Sequence, residues 1–245
     1  MMRHLNALII LLGTVLPAGA QTSESGVLDS VRNGATTDTV IQLFSLFTVL
    51  AIIPLVLIAA TSFTRFIVIV SILRSGIGLQ TTPANIILIS LSLFLTFYVM
   101  APVLEKSWTD GVQPLIEKKL TEADAFPKVA EPFRGFMLAN VRDKDLKLFA
   151  DLAAERGVQQ ASGGEVSYQI LIPAFMISEL RRGFEIGFLI ILPFLVIDLV
   201  VATITMSMGM MMLPPTVIAL PLKILFFVLI DGWHMLAGSM VRSFL

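Results

Sequence analysis

Two ionisable residues stand alone inside long apolar runs: Asp198 within residues 186–206 and Lys223 within residues 216–236. A charge inside a membrane span is costly, and by default it marks pairing or a pathway. Because consecutive helices would carry them, the first chemistry they suggest is an intramembrane ion pair. The alternatives are a proton relay and two separate groups facing a water-filled cavity. Between them the chain reads Met206-Ser-Met-Gly-Met-Met-Met-Leu-Pro-Pro215. Methionine is unbranched and pliable, so it fills irregular gaps and adapts to changing partners. Such a segment is a buried turn with interchangeable side chains, a thioether site for a soft metal, or, where several copies surround one pore, a deformable seal. Consecutive methionines point in different directions and no His or Cys stands beside them, which counts against the metal. A third group, Glu179, Arg181, Arg182 and Glu185, opens the apolar run. On a helix Arg181 meets Glu185 and Glu179 meets Arg182, as a solvated surface or as links between neighbouring subunits. Asp231 with Asp198 would make the aspartate dyad of an intramembrane protease, but its Ile-Asp-Gly-Trp context carries no catalytic glycine motif.

Composition narrows the classes. Of 245 residues 56% are hydrophobic and only 14% charged, the balance of a membrane protein. A net charge of −1 supplies no field for nucleic acid. The absence of cysteine removes disulfides, thiolate metal sites and cysteine nucleophiles together. With only His4 and His234, a histidine-ligated metal site is nearly excluded, and no cofactor or metal is expected. There is no phosphate-binding glycine loop and no serine-nucleophile elbow.

The elements that must position these residues follow in chain order. Residues 1–20 have the short basic start, apolar core and Ala-Gly-Ala end of a secretory signal cleaved after Ala20. The core is too short to cross a bilayer, which takes roughly 20 residues. Residues 21–39 are polar and turn-rich, a mobile extracytoplasmic arm. Residues 40–104 hold two hydrophobic helices, the first over 41–60 with a kink at Pro54, the second over 85–103. Between them Arg65 and Arg74, with no acid nearby, read as charges of a short cytoplasmic connection, in line with the bias of basic residues toward cytoplasmic loops. Residues 105–185 carry most of the chain's charges and read as a helical segment outside the membrane. In it Phe133, Phe136, Met137 and Val141 share a face, Asp143 caps a further helix, Gly157 closes it, and Pro173 starts another running into Glu179. Residues 186–245 hold the third and fourth hydrophobic helices with the methionine-rich loop on the cytoplasmic side. The expected fold is an all-α integral membrane protein of about four hydrophobic helices plus a helical extracytoplasmic segment.

Several stretches together resemble one family. They are residues 61–65 (Thr-Ser-Phe-Thr-Arg), 73–76 (Leu-Arg-Ser-Gly), 83–85 (Pro-Ala-Asn), 175–184 (Phe-Met-Ile-Ser-Glu-Leu-Arg-Arg-Gly-Phe), 193–198 (Pro-Phe-Leu-Val-Ile-Asp), 206–215 and 220–223 (Leu-Pro-Leu-Lys). In these motifs the chain, from about Thr39 onward, resembles the FliP/SctR family of type III secretion export-gate proteins. The signal sequence and the length favour its flagellar branch over the injectisome branch.

The resemblance implies a ring of five copies, joined by FliR-like and FliQ-like membrane proteins. Such a ring is the core of an inner-membrane export gate in the flagellar basal body. The subunits would adopt a helical, shallow-cone arrangement, much of it lifted out of the bilayer plane. It implies passage of unfolded flagellar proteins, contact with FlhB-like and FlhA-like export components, and no enzymatic activity of the chain itself. It further implies a gasket at Met210, Met211 and Met212, an intramembrane charge pair at Asp198 and Lys223, and subunit contacts at Glu179, Arg181 and Arg182. The competing classes are a small-solute transporter or channel centred on Asp198, against which stands the lack of an inverted repeat, and an intramembrane hydrolase.

Overall fold

The computed structural model describes residues 58–157, 166–209 and 214–244, with six further positions between 41 and 51. The chain divides into two units, residues 1–54 and 55–245. In the first, the described positions are helical, and the Thr48 hydroxyl donates to the Phe44 carbonyl at 2.8 Å. The expected signal (1–20), the arm (21–39), Pro54 and Met210, Met211 and Met212 lie outside the described residues.

In the second unit the first element was expected to be a connection and is a helix. α1 (Phe63–Ile77) has Phe66, Ile69, Val70, Leu73 and Ile77 on its buried face. These steps of three and four keep one stripe inward over about three turns. Gly78, at φ 94°, ends it: Gly78 N–H donates to the Ser75 carbonyl and Leu79 N–H to the Arg74 carbonyl. That is the Schellman closure, which needs a left-handed residue and therefore favours glycine.

α2 (Asn85–Ser107) runs through a π-helical turn (Trp108–Val112) into α3 (Gln113–Ile116), an apolar rod of 32 residues. At the π-turn Gly111 leaves room for Val129 of α4, whose Cγ2 would be 2.4 Å from an added Cβ. α4 (Glu122–Asn140) starts at Thr121, whose hydroxyl oxygen accepts from the Asp124 N–H. α5 (Asp143–Glu155) is capped at Arg142, so Asp143 is its first helical residue and not the cap. An acid there still favours the helix start, because the first turn carries positive partial charge. Gly157, at φ 69°, follows its end.

α6 (Tyr168–Ser207) is the longest element, 40 residues opened by Ser167, whose hydroxyl oxygen accepts from the Gln169 N–H. Pro173 lies inside it and does not start it. The expected boundary at residue 185 between a soluble segment and a third span does not exist as a break: one continuous helix crosses it. At 1.5 Å per residue it is about 60 Å long, roughly twice the hydrocarbon thickness of a bilayer.

The expected fourth helix over 216–236 is broken. α7 (Pro215–Leu229) and α8 (Gly232–Arg242) meet at a 66° bend, where Asp231 takes a left-handed φ of 50°. Aspartate is among the few non-glycine residues that visit this region. Phe227 packs so close to Gly232 that an added Cβ would sit 2.2 Å from its ring. Among the described residues two helices, Asn85–Ile116 and Tyr168–Ser207, are therefore long and apolar enough to cross a membrane, and the bent pair makes a third if it counts as one span. The described residues are all-α, with no strand among them. Most of the expected first helix over 41–60 lies outside the described residues, so the two or three spanning helices found stand against the three expected after it.

The main core gathers α1 (Phe66, Ile69, Leu73) against Phe194 of α6, Phe227 of α7, Leu88 of α2 and Leu236 and Met240 of α8. A second cluster joins Met137 and Phe136 of α4 with Leu171 and Phe175 of α6. Phe244 links the two, edge-on to Phe66 with centroids 5.4 Å apart and stacked on Phe136 at 5.8 Å.

Candidate functional site

α1 and α6 run in the same direction with a constant register. Three close approaches set it: Gly183 faces Val68, Gly187 faces Ile72, and Gly76 faces Ile191. Each step is four residues on both helices, so one ridge meets one groove at three levels over about two turns. Gly183 and Gly187 form a small-xxx-small pair, the arrangement that lets membrane helices approach closely where no hydrophobic driving force separates helix from lipid. A Cβ on Gly187 would stand 2.7 Å from Ile72 Cδ1.

An ion pair closes each end of this interface. At the N-terminal end of α1, Arg65 is fully buried and grips Glu179 of α6 with two parallel bonds, Nε to Oε2 at 2.9 Å and Nη2 to Oε1. Its Nη1 donates to the Ser243 carbonyl and lies 2.9 Å from the Ser243 hydroxyl. The guanidinium carbon stands 3.5 Å from the Phe244 ring centroid. One side chain thus ties α1, α6 and the residues after α8. A planar fork with five donors suits this task, and an ammonium does not. Beside it the Ser178 hydroxyl oxygen accepts the Arg142 N–H at 3.1 Å and lies 2.7 Å from Asp145 Oδ2, docking the start of α5 on α6.

At the C-terminal end of α1, Lys223 of α7 reaches Asp198 of α6, Nζ to Oδ2 at 2.6 Å, and also donates to the Gly76 carbonyl at 3.0 Å. The lysine side chain is 7% exposed and the aspartate 35%. Asp198 engages the ammonium through Oδ2 alone, and its Oδ1 is buried without a hydrogen-bond partner. Among the described residues no group of three or more His, Asp or Glu side chains is placed to hold a metal.

Two sequence expectations are corrected here. Arg65 is not a loop charge: it lies on the first turn of a helix with no exposed surface. Glu179 is not placed for contacts with another subunit, nor does it pair with Arg182, because both its oxygens are engaged by Arg65 inside the chain. Arg182 is half-buried on the same helix. Arg181 is exposed and meets Glu185 at 2.8 Å, four residues on. Arg74 lies in the last turn of α1, where its Nη1 donates to Asn85 Oδ1 at 2.5 Å, tying the start of α2 to the end of α1.

Arg65 as a buried partner escaped the sequence reading because Glu179 is 114 residues away. Gly183 and Gly187 escaped it too, although their four-residue spacing was a usable signal. Beyond the paired groups, α6 turns Phe184, Phe188, Leu195 and Leu199 outward, and α7 turns out Val217, Leu225 and Val228. Apolar faces of this extent are suited to lipid or to further helices.

Fold and site define an all-α membrane protein whose apolar helices are clamped by two ion pairs across a glycine-lined interface. The chain belongs to the FliP family, whose model matches residues 46–240. It is 58% identical over 244 residues to the flagellar biosynthetic protein FliP of Agrobacterium fabrum (strain C58), covering all of both chains. It is 55% identical over 245 residues to that of Rhizobium meliloti (strain 1021), again over all of both chains. The FliP protein of Bacillus subtilis (strain 168) is 44% identical over 204 residues, 83% of this chain and 91% of the relative.

Proposed function

We propose that this chain is a core component of the flagellar type III protein export gate. In this reading several copies form a ring in the inner membrane with FliQ-like and FliR-like proteins, and unfolded flagellar subunits pass through it. FlhB-like and FlhA-like components adjoin it, and the chain is structural and not an enzyme. The observation that carries the reading is membership of the FliP family over most of the chain. The geometry supports it in kind. α1 and α6 form a rigid double rod, pinned at both ends, and the outward apolar faces of α6 and α7 offer ample surface to neighbours. Arg181 and Arg182 lie on the same helix and are proposed as contacts between subunits.

Met210, Met211 and Met212 follow in sequence on the end of α6, where Gly209 has φ 74°. In a ring they multiply into a soft apolar collar. Such a collar closes around a moving chain of varied side chains, and it blocks ions by excluding water, as hydrophobic constrictions do. Changing all three to alanine is expected to leave assembly intact and to make the membrane leaky to small solutes. Native mass of the gently extracted complex, co-expressed with its FliQ-like and FliR-like partners, checks assembly, and dye or ion flux checks the seal. A large discrete assembly with tight membranes in the triple mutant would refute the collar alone. A monomer or dimer that ignores those partners would refute the ring and restore the transporter reading.

A further inference from the structure

The Asp198–Lys223 pair has a third member, and it fixes which residue must carry the positive charge. A helix ends with carbonyls that have no partner inside it. At the end of α1 the Schellman closure satisfies two of them, since Leu79 N–H takes the Arg74 carbonyl and Gly78 N–H takes the Ser75 carbonyl. The next carbonyl, that of Gly76, is left over. Lys223 Nζ donates to it at 3.0 Å from another helix. The close packing of Ile191 on Gly76 brings α6 against the same turn, where an added Cβ would meet Ile191 Cγ2 at 2.4 Å.

We infer that Lys223 is the C-terminal cap of α1 as well as the counter-ion of Asp198, so that the site is polar and cannot be reversed. The last turn of a helix carries negative partial charge and favours a cation. An ammonium at position 223 offers one proton to the carboxylate and another to the carbonyl. A carboxylate at the same place is acceptor-only when ionised, so it would face the Gly76 carbonyl with nothing to donate, while its repulsion from the helix end adds to the loss. A neutral amide pair, made by Asp198→Asn with Lys223→Gln, keeps a donor at position 223 by contrast, on a side chain one bond shorter than that of lysine. The glutamine amide has two N–H groups to offer to the Gly76 carbonyl and the side-chain oxygen of the asparagine. The inference concerns the chemistry of the site and stands apart from the export reading.

The test compares two double mutants in the full chain, expressed with its partners, reading the protease-resistant amount in the membrane. Asp198→Asn with Lys223→Gln is expected to remain within a few-fold of the parent, while Asp198→Lys with Lys223→Asp falls about tenfold further, the scale of one buried acceptor left unmet. Equal recovery of the swap and the amide pair would overturn the inference, as would loss of the amide pair to the level of the swap. A second readout holds if the swap does not fold. Hydrogen exchange at the Gly78 and Leu79 amides, which close α1, is expected to speed up about tenfold in Lys223→Met and to stay near parental in Asp198→Asn, again on the scale of one buried hydrogen bond. Equal exchange in those two single mutants would overturn it too.

Discussion

Replacing Arg65 with alanine is expected to cost about 3–5 kcal/mol, the range for stripping one partner from a buried ion pair. The loss has three parts. Glu179 is left charged and buried with no counter-ion. The Ser243 carbonyl and hydroxyl lose their donor. The Phe244 ring loses the guanidinium it faces. Since Phe244 also packs on Phe66 and Phe136, the damage reaches the seam between the two core clusters. Arg65→Lys keeps the charge but cannot make two parallel bonds to Glu179 and reach Ser243 at once, so it is expected to recover only part of the loss. Replacing both partners with methionine is expected to recover more than either single change, because no buried charge remains. Thermal unfolding of the detergent-extracted chain measures all three. An Arg65→Ala protein as stable as the parent would mean the buried pair is energetically idle.

Gly187→Leu is expected to be nearly as damaging by a different route. Even a methyl group there would lie 2.7 Å from Ile72 Cδ1 and 3.1 Å from its Cβ. The second distance matters more, since Cβ is fixed to the backbone of α1 and cannot rotate away. Overpacking of this kind costs about 1–3 kcal/mol. Here α1 would also have to move off α6, which pulls on both ion pairs at once. The mechanism names its own suppressor. Ile72→Ala in the same chain is expected to restore much of the lost stability and assembly, although Ile72→Ala alone is destabilising. Recovery is read as the amount of chain entering the large complex. Additive damage in the double mutant would show that the two residues do not share one contact.

Several features were legible in the sequence. The apolar runs over 85–103 and 186–206 read as helices, and the structure extends them to Asn85–Ser107 and to the upper half of Tyr168–Ser207. Of the expected face of Phe133, Phe136, Met137 and Val141, the last three belong to the cluster with Leu171 and Phe175 of α6, and Phe133 does not. Asp198 and Lys223 stood out because each interrupts an uncharged run, and the structure brings them to 2.6 Å. The family motifs were equally plain, being written in contiguous residues.

Other features needed the tertiary structure. The stretch holding Arg65 and Arg74 reads as a connection because basic residues with no acid nearby fit a short cytoplasmic loop between two spans. Its helical stripe of Phe66, Ile69, Val70, Leu73 and Ile77 is present in the sequence but does not enter that reading. What reversed the reading was Glu179, brought beside Arg65 by the packing of α1 on α6. The break at Asp231 gave no stronger signal than a single Asp-Gly inside an apolar run. Periodicity tells which face of a helix is buried and says nothing of which helix covers it, so local pattern determined the helices and their inward stripes. The partner of each charge was decided only when glycines let two particular backbones close together. The Gly76 carbonyl is the extreme case, since every residue carries a carbonyl and only the folded chain selects which one is left for Lys223.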